Sequence, residues 1–157
     1  ESADLLNEYG LVLLALGQSP RAESAHRESL KIRRDLLGDS HPKYAQSLHN
    51  LGAVMLNECR FPEAEDFVNR AIAVLSLDPS ANTVSIARHR RLLAEVMIAT
   101  GRLDEAQRTC EQALRELDES VGPEHAFTAR IYRTLGAIAH ARGERPHDGR
   151  GRLRPGR

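Results

Sequence analysis

The chain has 157 residues and a formal net charge of zero at pH 7, with 41% hydrophobic and 28% charged residues. This composition is that of an ordinary soluble domain and does not favour a disordered, membrane-embedded or nucleic-acid-binding class. No apolar run approaches the roughly 18–20 residues that a helix needs to span a bilayer. The two cysteines, Cys59 and Cys110, show no metal-ligand spacing, which indicates a reducing, cytoplasmic setting. Because the first residue is Glu1 rather than Met, we expect an excerpt of a longer chain.

The chain repeats itself every 42 residues, because similar segments begin at Tyr9, Leu51, Leu93 and Leu135. One column of this alignment holds only the two smallest residues, and a second column holds alanine in every full unit. The columns are Gly10, Gly52, Ala94, Gly136 and Ala22, Ala64, Ala106. We therefore predict units near 1–42, 43–84 and 85–126, and a partial unit at 127–143.

Each unit is predicted to form two amphipathic helices. In the second unit, Leu48, Leu51 and Met55 form one apolar stripe at helical spacing, and Ala64 and Val68 begin another after a turn. Small residues between the two helices allow their backbones to approach closely. Such a pair cannot bury its apolar faces alone, so the units are expected to stack into a solenoid.

The joint between the first two units, at 36–52, reads LLGDSHPKYAQSLHNLG. Gly38 is predicted to end the preceding helix, and Asp39 or Ser40 to cap the next one. Pro42 falls in the first turn of that helix, where a missing N–H group does no harm.

The same joint recurs at 121–129, where His125 is in register with His41. A metal site at His41 and His49 would need further ligands, and none is spaced on one helical face. We therefore prefer a capping or packing role for this histidine. The joint between units two and three lacks the glycine and the histidine and leaves two cap candidates, Asn82 and Thr83.

Small residues at these offsets within paired helices resemble the tetratricopeptide repeat, and the 42-residue length together with the joint is similar to the kinesin-light-chain-type variety. The resemblance covers about residues 1–143 and is most faithful at 45–78. It implies an all-α fold, a right-handed α-solenoid of antiparallel helix pairs with about three and a half repeats. The first helices would line a concave groove that captures peptides or helices of partner proteins. No catalysis, cofactor or metal is implied.

Columns opposite the apolar stripe of the first helices are expected to face the groove. Asn50 matches an asparagine that, in the resembled repeats, commonly hydrogen-bonds the backbone of a bound peptide, and Asn57 is expected to act similarly. Residues 79–157 carry 14 Lys/Arg against 10 Asp/Glu, whereas residues 1–78 carry 8 against 12. Arginines on neighbouring helices can clamp carboxylates or phosphates. The candidate partner-binding residues are Gln46, His49, Asn50, Asn57, Arg88, Arg91, Arg130 and Arg133.

The sequence thus predicts a non-catalytic protein-interaction module that binds an acidic or phosphorylated segment in the basic half of its groove, with no membrane partner. Two alternatives stay open: an electrostatic binder of nucleic acid or phosphate, and a regulatory arm of a larger signalling enzyme. The Arg/Gly/Pro-rich tail at 144–157 is expected to be disordered. The last helix has no second helix to cover its outer side, around Tyr132, Leu135 and Ile138, so self-association through this helix is a further expectation.

Overall fold

A computed structural model describes residues 1–143 of the chain, which form seven α-helices and no strand. Three antiparallel helix pairs are followed by a single last helix, which confirms the predicted all-α solenoid. The helices are α1 (Ser2–Ala15), α2 (Ser19–Leu37), α3 (Pro42–Asn57), α4 (Phe61–Leu75), α5 (Pro79–Ala99), α6 (Leu103–Val121) and α7 (Thr128–Ala141). The tail at 144–157, for which we expect disorder, lies outside the described residues.

Histidine side chains satisfy backbone donors at two of the joints. His41 is the N-cap of α3, and its Nδ1 atom accepts a hydrogen bond from the backbone N–H of Lys43 at 3.1 Å. Before α7, Nδ1 of His125 accepts one from the backbone N–H of Phe127 at 3.2 Å. The expected capping role is therefore confirmed for His41. The two caps proposed from the sequence, Asp39 and Ser40, are wrong.

The joint between α4 and α5 lies one turn earlier than the other joints. Asp78 caps α5, since its Oδ1 atom accepts a hydrogen bond from the backbone N–H of Ala81 at 3.2 Å. Pro79 occupies the first helical position, where its fixed φ suits a helix start. The prediction that Asn82 or Thr83 caps this helix is therefore wrong, because a better cap and a proline precede them.

The two helices approach closely at a glycine in each of the first two pairs. A Cβ atom added at Gly52 would lie 2.7 Å from Cγ2 of Val68, and one added at Gly10 would lie 2.6 Å from the imidazole of His26. No larger residue fits at these two positions unless the opposing side chain or its helix shifts. The alanines of the second helices are fully buried beside this contact: Ala22, Ala64 and Ala106.

A buried arginine joins the first two repeats. Arg33 is only 2% exposed and donates hydrogen bonds to Oδ1 of Asp4 at 2.8 Å, to the carbonyl of Lys43 at 2.8 Å and to Oγ of Ser47 at 2.9 Å. Hydrogen bonds from Arg33 and Lys43 lower the pKa of the Asp4 carboxyl to about 2. These acceptors offset the cost of burying the charge, so Arg33 fixes α1 and α3 against α2.

The close approach at Gly52 predicts a large effect of one methyl group. Gly52→Ala should destabilise the fold by about 1–3 kcal/mol, because Cγ2 of the fully buried Val68 already lies 2.7 Å from the place of the new Cβ. Urea unfolding of the two proteins measures this difference directly.

Gly136→Ala in α7 is the matched control, since among residues 1–143 no atom outside the adjacent backbone of α7 lies within 4 Å of the position that its Cβ would take. This substitution should instead stabilise the fold by about 1 kcal/mol through the higher helix propensity of alanine. Equal effects of the two substitutions would contradict the role of close approach.

Candidate binding groove

The first helices of the repeats, α1, α3, α5 and α7, lie side by side and each contacts the next. We call the surface that they share the groove. A cavity of about 210 Å³ opens between α3 and α5 (the α3–α5 cavity), and one of about 360 Å³ opens between α5 and α7 (the α5–α7 cavity). Both cavities have lining residues on two successive first helices, so a ligand in either would bridge two repeats.

Three of the predicted arginines come together in the α5–α7 cavity. Arg91, Arg130 and Arg133 line it, together with one carboxylate, Glu95. Glu95 forms an ion pair with Arg91 one turn away on the same helix. Sequence reasoning missed Glu95, although its four-residue spacing from Arg91 places both on one face of α5.

The three guanidinium groups of this cavity differ in the partners that they have within the fold. Nε of Arg91 is buried and has no hydrogen-bond acceptor. The Arg130 guanidinium lies 5.9 Å from the ring centroid of Phe127, a cation–π contact that leaves its N–H groups available. Arg133 is exposed and has no polar side-chain partner among residues 1–143. The cavity therefore has more donors than acceptors and an excess of positive charge.

The α3–α5 cavity holds two more of the predicted residues. Gln46 on α3 and Arg88 on α5 both line it, and both are exposed. A second cation, Lys43, lies beside them and forms an ion pair with Asp4 at 3.0 Å. Arg88 has no carboxylate partner within residues 1–143, so it is the cation of this cavity that remains available to a ligand.

His49 lies against a second histidine that the sequence analysis did not single out. The rings of His49 and His89 have their centroids 4.4 Å apart and are tilted by 57°. Burial, followed by the neighbouring charges of His89, Arg88 and Arg91, lowers the pKa of His49 to about 3. His49 is therefore neutral at pH 7 and forms part of the packing between α3 and α5.

His89 is also held neutral, since burial lowers the pKa of its imidazole. Its Nδ1 atom lies 2.6 Å from the carbonyl oxygen of Ser85, and its Nε2 atom lies 3.4 Å from that of Ala45. The histidine pair thus forms a neutral layer beside the cationic groups of the groove.

The two predicted asparagines lie outside both cavities. Asn50 is 6% exposed, and its Nδ2 donates to Oδ1 of Asn7 at 2.5 Å, which joins α3 to α1. Nδ2 of Asn57 donates to Oγ of Ser19 at 2.9 Å. Both amides are engaged within the stack, and their role as peptide contacts stays a prediction.

Within residues 1–143, no group of three or more His, Cys, Asp or Glu side chains is placed to hold a metal ion. Burial raises the pKa of the Cys110 thiol to about 11, as expected of a small buried hydrophobe. Cys59 is exposed and unpaired. None of the described helices has the length and apolarity that crossing a membrane requires.

Comparison with known proteins gives a consistent match. The family profile described as tetratricopeptide repeat matches residues 1–76 and 85–146. A TPR repeat-containing protein of Dictyostelium discoideum is 26% identical over 140 residues, which are 88% of this chain and 8% of that protein. The kinesin light chain-related protein 1 of Arabidopsis thaliana is 26% identical over 99 residues, 63% of this chain and 16% of that protein. The chain thus spans less than a fifth of either relative.

Solved structures share the fold. A putative kinesin light chain of Podospora anserina with nearly identical TPR-like repeats superposes with a TM-score of 0.75 at 20% identity, over 92% of this chain and 69% of that one. The first TPR domain of Spaghetti (RPAP3), bound to the HSP90 peptide SRMEEVD, superposes with a TM-score of 0.58 at 18% identity, over 88% of this chain and 94% of that one.

The low pKa of the partly buried His49 predicts that acid destabilises the fold well above the pH at which carboxylates are protonated. The folded chain leaves His49 neutral down to about pH 3, whereas an unfolded histidine takes up a proton near pH 6.5. The unfolded state therefore binds more protons, and the free energy of unfolding should fall by up to about 2 kcal/mol per such histidine between pH 7 and pH 5. Urea titrations at the two pH values measure this loss.

Replacing His49 by asparagine, the residue at the equivalent position in α1, should make the stability less dependent on pH. His140→Asn is the matched control, because it removes an exposed imidazole from α7 rather than a partly buried one. An unchanged pH dependence in the His49 variant would contradict the assignment.

Proposed function

The chain belongs to the tetratricopeptide repeat family, and from this premise we propose that it is a non-catalytic protein-interaction module whose groove binds an acidic segment of a partner protein. The segment would lie across α3, α5 and α7, with its carboxylates in the α3–α5 and α5–α7 cavities.

The observation that carries this proposal is the imbalance of charge in the α5–α7 cavity. Arg91, Arg130 and Arg133 face a single carboxylate, Glu95. Guanidinium groups bind carboxylates through two parallel N–H···O bonds, and unsatisfied donors at the edge of a cavity favour such a ligand. The partner's carboxylate would compete with Glu95 for Arg91 and would meet no competitor at Arg133.

A second observation supports the proposal, namely the position of Arg88, the cation of the α3–α5 cavity that has no carboxylate partner within residues 1–143. Arg88 lies in the neighbouring cavity beside Gln46, which offers both a donor and an acceptor to a peptide backbone. The solved relative whose bound peptide reads SRMEEVD provides support from the family, since three residues of that peptide are acidic.

Charge reversal in the groove tests the proposal. The probes are an array of short acidic peptides, SRMEEVD among them, each paired with a counterpart in which Gln and Asn replace Glu and Asp. Arg88→Glu combined with Arg91→Glu should weaken binding of the acidic peptides at least about tenfold, because attraction becomes repulsion. Fluorescence anisotropy gives the affinities, and circular dichroism should show unchanged helicity.

The matched control is Arg34→Glu combined with Arg108→Glu, which changes the net charge equally at exposed positions on α2 and α6. Equal binding by the acidic peptides and their amide counterparts would overturn the proposal, as would equal loss in the control. A single-stranded oligonucleotide provides the competing probe: tighter binding of this probe, with a steep dependence on salt, would favour the nucleic-acid alternative instead.

A further inference from the structure

The α5–α7 cavity carries more positive charge than one carboxylate can balance. It is lined by three guanidinium groups, those of Arg91, Arg130 and Arg133, and by one carboxylate, that of Glu95. Because a guanidinium group stays protonated in proteins, three positive charges and one negative charge give the lining a net charge of +2. One carboxylate of a bound segment would leave one of these charges without a counterion. A phosphomonoester carries about 1.5–2 negative charges at pH 7 and would balance both.

Two described helices define the opening of this cavity. Its lining residues come from α5 and from the side of α7 that faces α5. Arg88, the equivalent of Arg130 one repeat earlier, is exposed although α6 and α7 follow it in the stack. The α3–α5 cavity likewise opens between first helices that have a further first helix on either side. Exposed cations between first helices are therefore a regular feature of the groove.

The guanidinium groups of the α5–α7 cavity have donors that the fold does not use. Arg91 donates to Glu95 through Nη1, but its Nε is buried and has no acceptor. A buried donor without an acceptor costs free energy, so Arg91 gains a hydrogen bond when it turns toward an anion in the cavity. Arg130 and Arg133 are exposed and donate to no side chain within residues 1–143. Three guanidinium groups are thus available to the three terminal oxygens of a phosphate group, which accept charge-assisted hydrogen bonds.

The size and the lining of the cavity also suit a phosphorylated side chain. Its volume of about 360 Å³ falls within the range of sites that hold small molecules. Besides the charged groups, the apolar residues Ile98 and Ala137 line it. They offer a surface to the methylene group that carries the phosphate in a phosphorylated serine.

The α3–α5 cavity does not offer the same charge to a ligand. Lys43 is already paired with Asp4 at 3.0 Å, so Arg88 alone remains available among the cations that line this cavity. One available guanidinium group matches one carboxylate. The two cavities therefore differ in the anion that each can balance.

We infer that the α5–α7 cavity binds a phosphomonoester group on a phosphorylated side chain of the partner segment. The inference rests on the proposed function, because the same segment would place a carboxylate in the α3–α5 cavity. The phosphate neutralises the net charge of the α5–α7 cavity and offers acceptors to all three of its guanidinium groups. Phosphorylation of the partner would thereby raise its affinity for the groove.

Peptides that carry phosphoserine test the inference. Each Glu or Asp of the acidic peptides is replaced in turn by Gln, by phosphoserine, and by phosphoserine whose phosphate carries a methyl ester. The ester keeps the tetrahedral shape but has a single negative charge. At one position, phosphoserine should lower the Kd at least about tenfold relative to the carboxylate, because hydrogen bonds between fully charged partners are the strong ones. The ester should bind no more tightly than the carboxylate. Fluorescence anisotropy near neutral pH measures the affinities.

Two variants distinguish the two cavities. Arg130→Gln combined with Arg133→Gln removes the net charge of the α5–α7 cavity, and it should abolish the preference for phosphoserine over the carboxylate. Arg88→Gln is the matched control, since it removes an exposed guanidinium group from the α3–α5 cavity. It should weaken phosphorylated and unphosphorylated peptides by the same factor. All three arginines are exposed, and circular dichroism should show unchanged helicity.

Four outcomes would overturn the inference. The first is equal binding of the phosphoserine and carboxylate peptides at every position. The second is a preference for phosphoserine that survives the loss of Arg130 and Arg133. The third is an ester that binds as tightly as phosphoserine, which indicates a site for phosphodiesters such as those of nucleic acid. The fourth is inorganic phosphate that binds more tightly in calorimetry than any phosphoserine peptide, which indicates a site for the free ion.

These results also separate the inference from the proposed function. If the carboxylate peptides bind more tightly than their Gln forms but gain nothing from phosphoserine, the inference fails and the proposed function stands. If the carboxylate and Gln forms bind equally and only phosphoserine improves binding, the inference stands and the preference for carboxylates fails.

Discussion

The fold depends on the close approach of two helices at one position in each of the first two repeats. At Gly10 and Gly52 the opposite side chain already lies where a Cβ atom would go, so the smallest residue sets the distance between the helices. That distance decides how the next pair stacks, since α3 and α5 each pack on the helix pair before them. The cavities of the groove open between successive first helices. The stacking of the helix pairs sets the distance between these helices, so the shape of the groove also depends on this contact.

Periodicity alone was sufficient to predict the helix pairs and the small-residue contacts, because these depend on spacing that recurs every 42 residues. The cap of α5 is predicted wrongly, because Asp78 and Pro79 start the helix by local chemistry that the other joints do not share. The family profile also leaves residues 77–84 unmatched, at this same joint. In the groove, alignment of the repeats predicts Arg91 as a binding residue but does not predict its ion pair with Glu95. It likewise predicts Asn50 but not the hydrogen bond of Asn50 to Asn7. Partners across helices depend on side-chain direction, which a column of equivalent positions does not specify.

Arginine performs two separate tasks in this chain, and its location in the repeat decides which. Arg33, on the second helix α2, is buried in the stack and donates hydrogen bonds to three acceptors on α1 and α3. Its guanidinium group therefore joins repeats and is not available to a ligand. Arg88 and Arg133 on first helices lie at the surface of the groove without carboxylate partners among the described residues. The histidine pair between α3 and α5 adds no charge at neutral pH, because burial keeps it unprotonated. The positive potential of the groove therefore comes from guanidinium groups that the fold itself does not use.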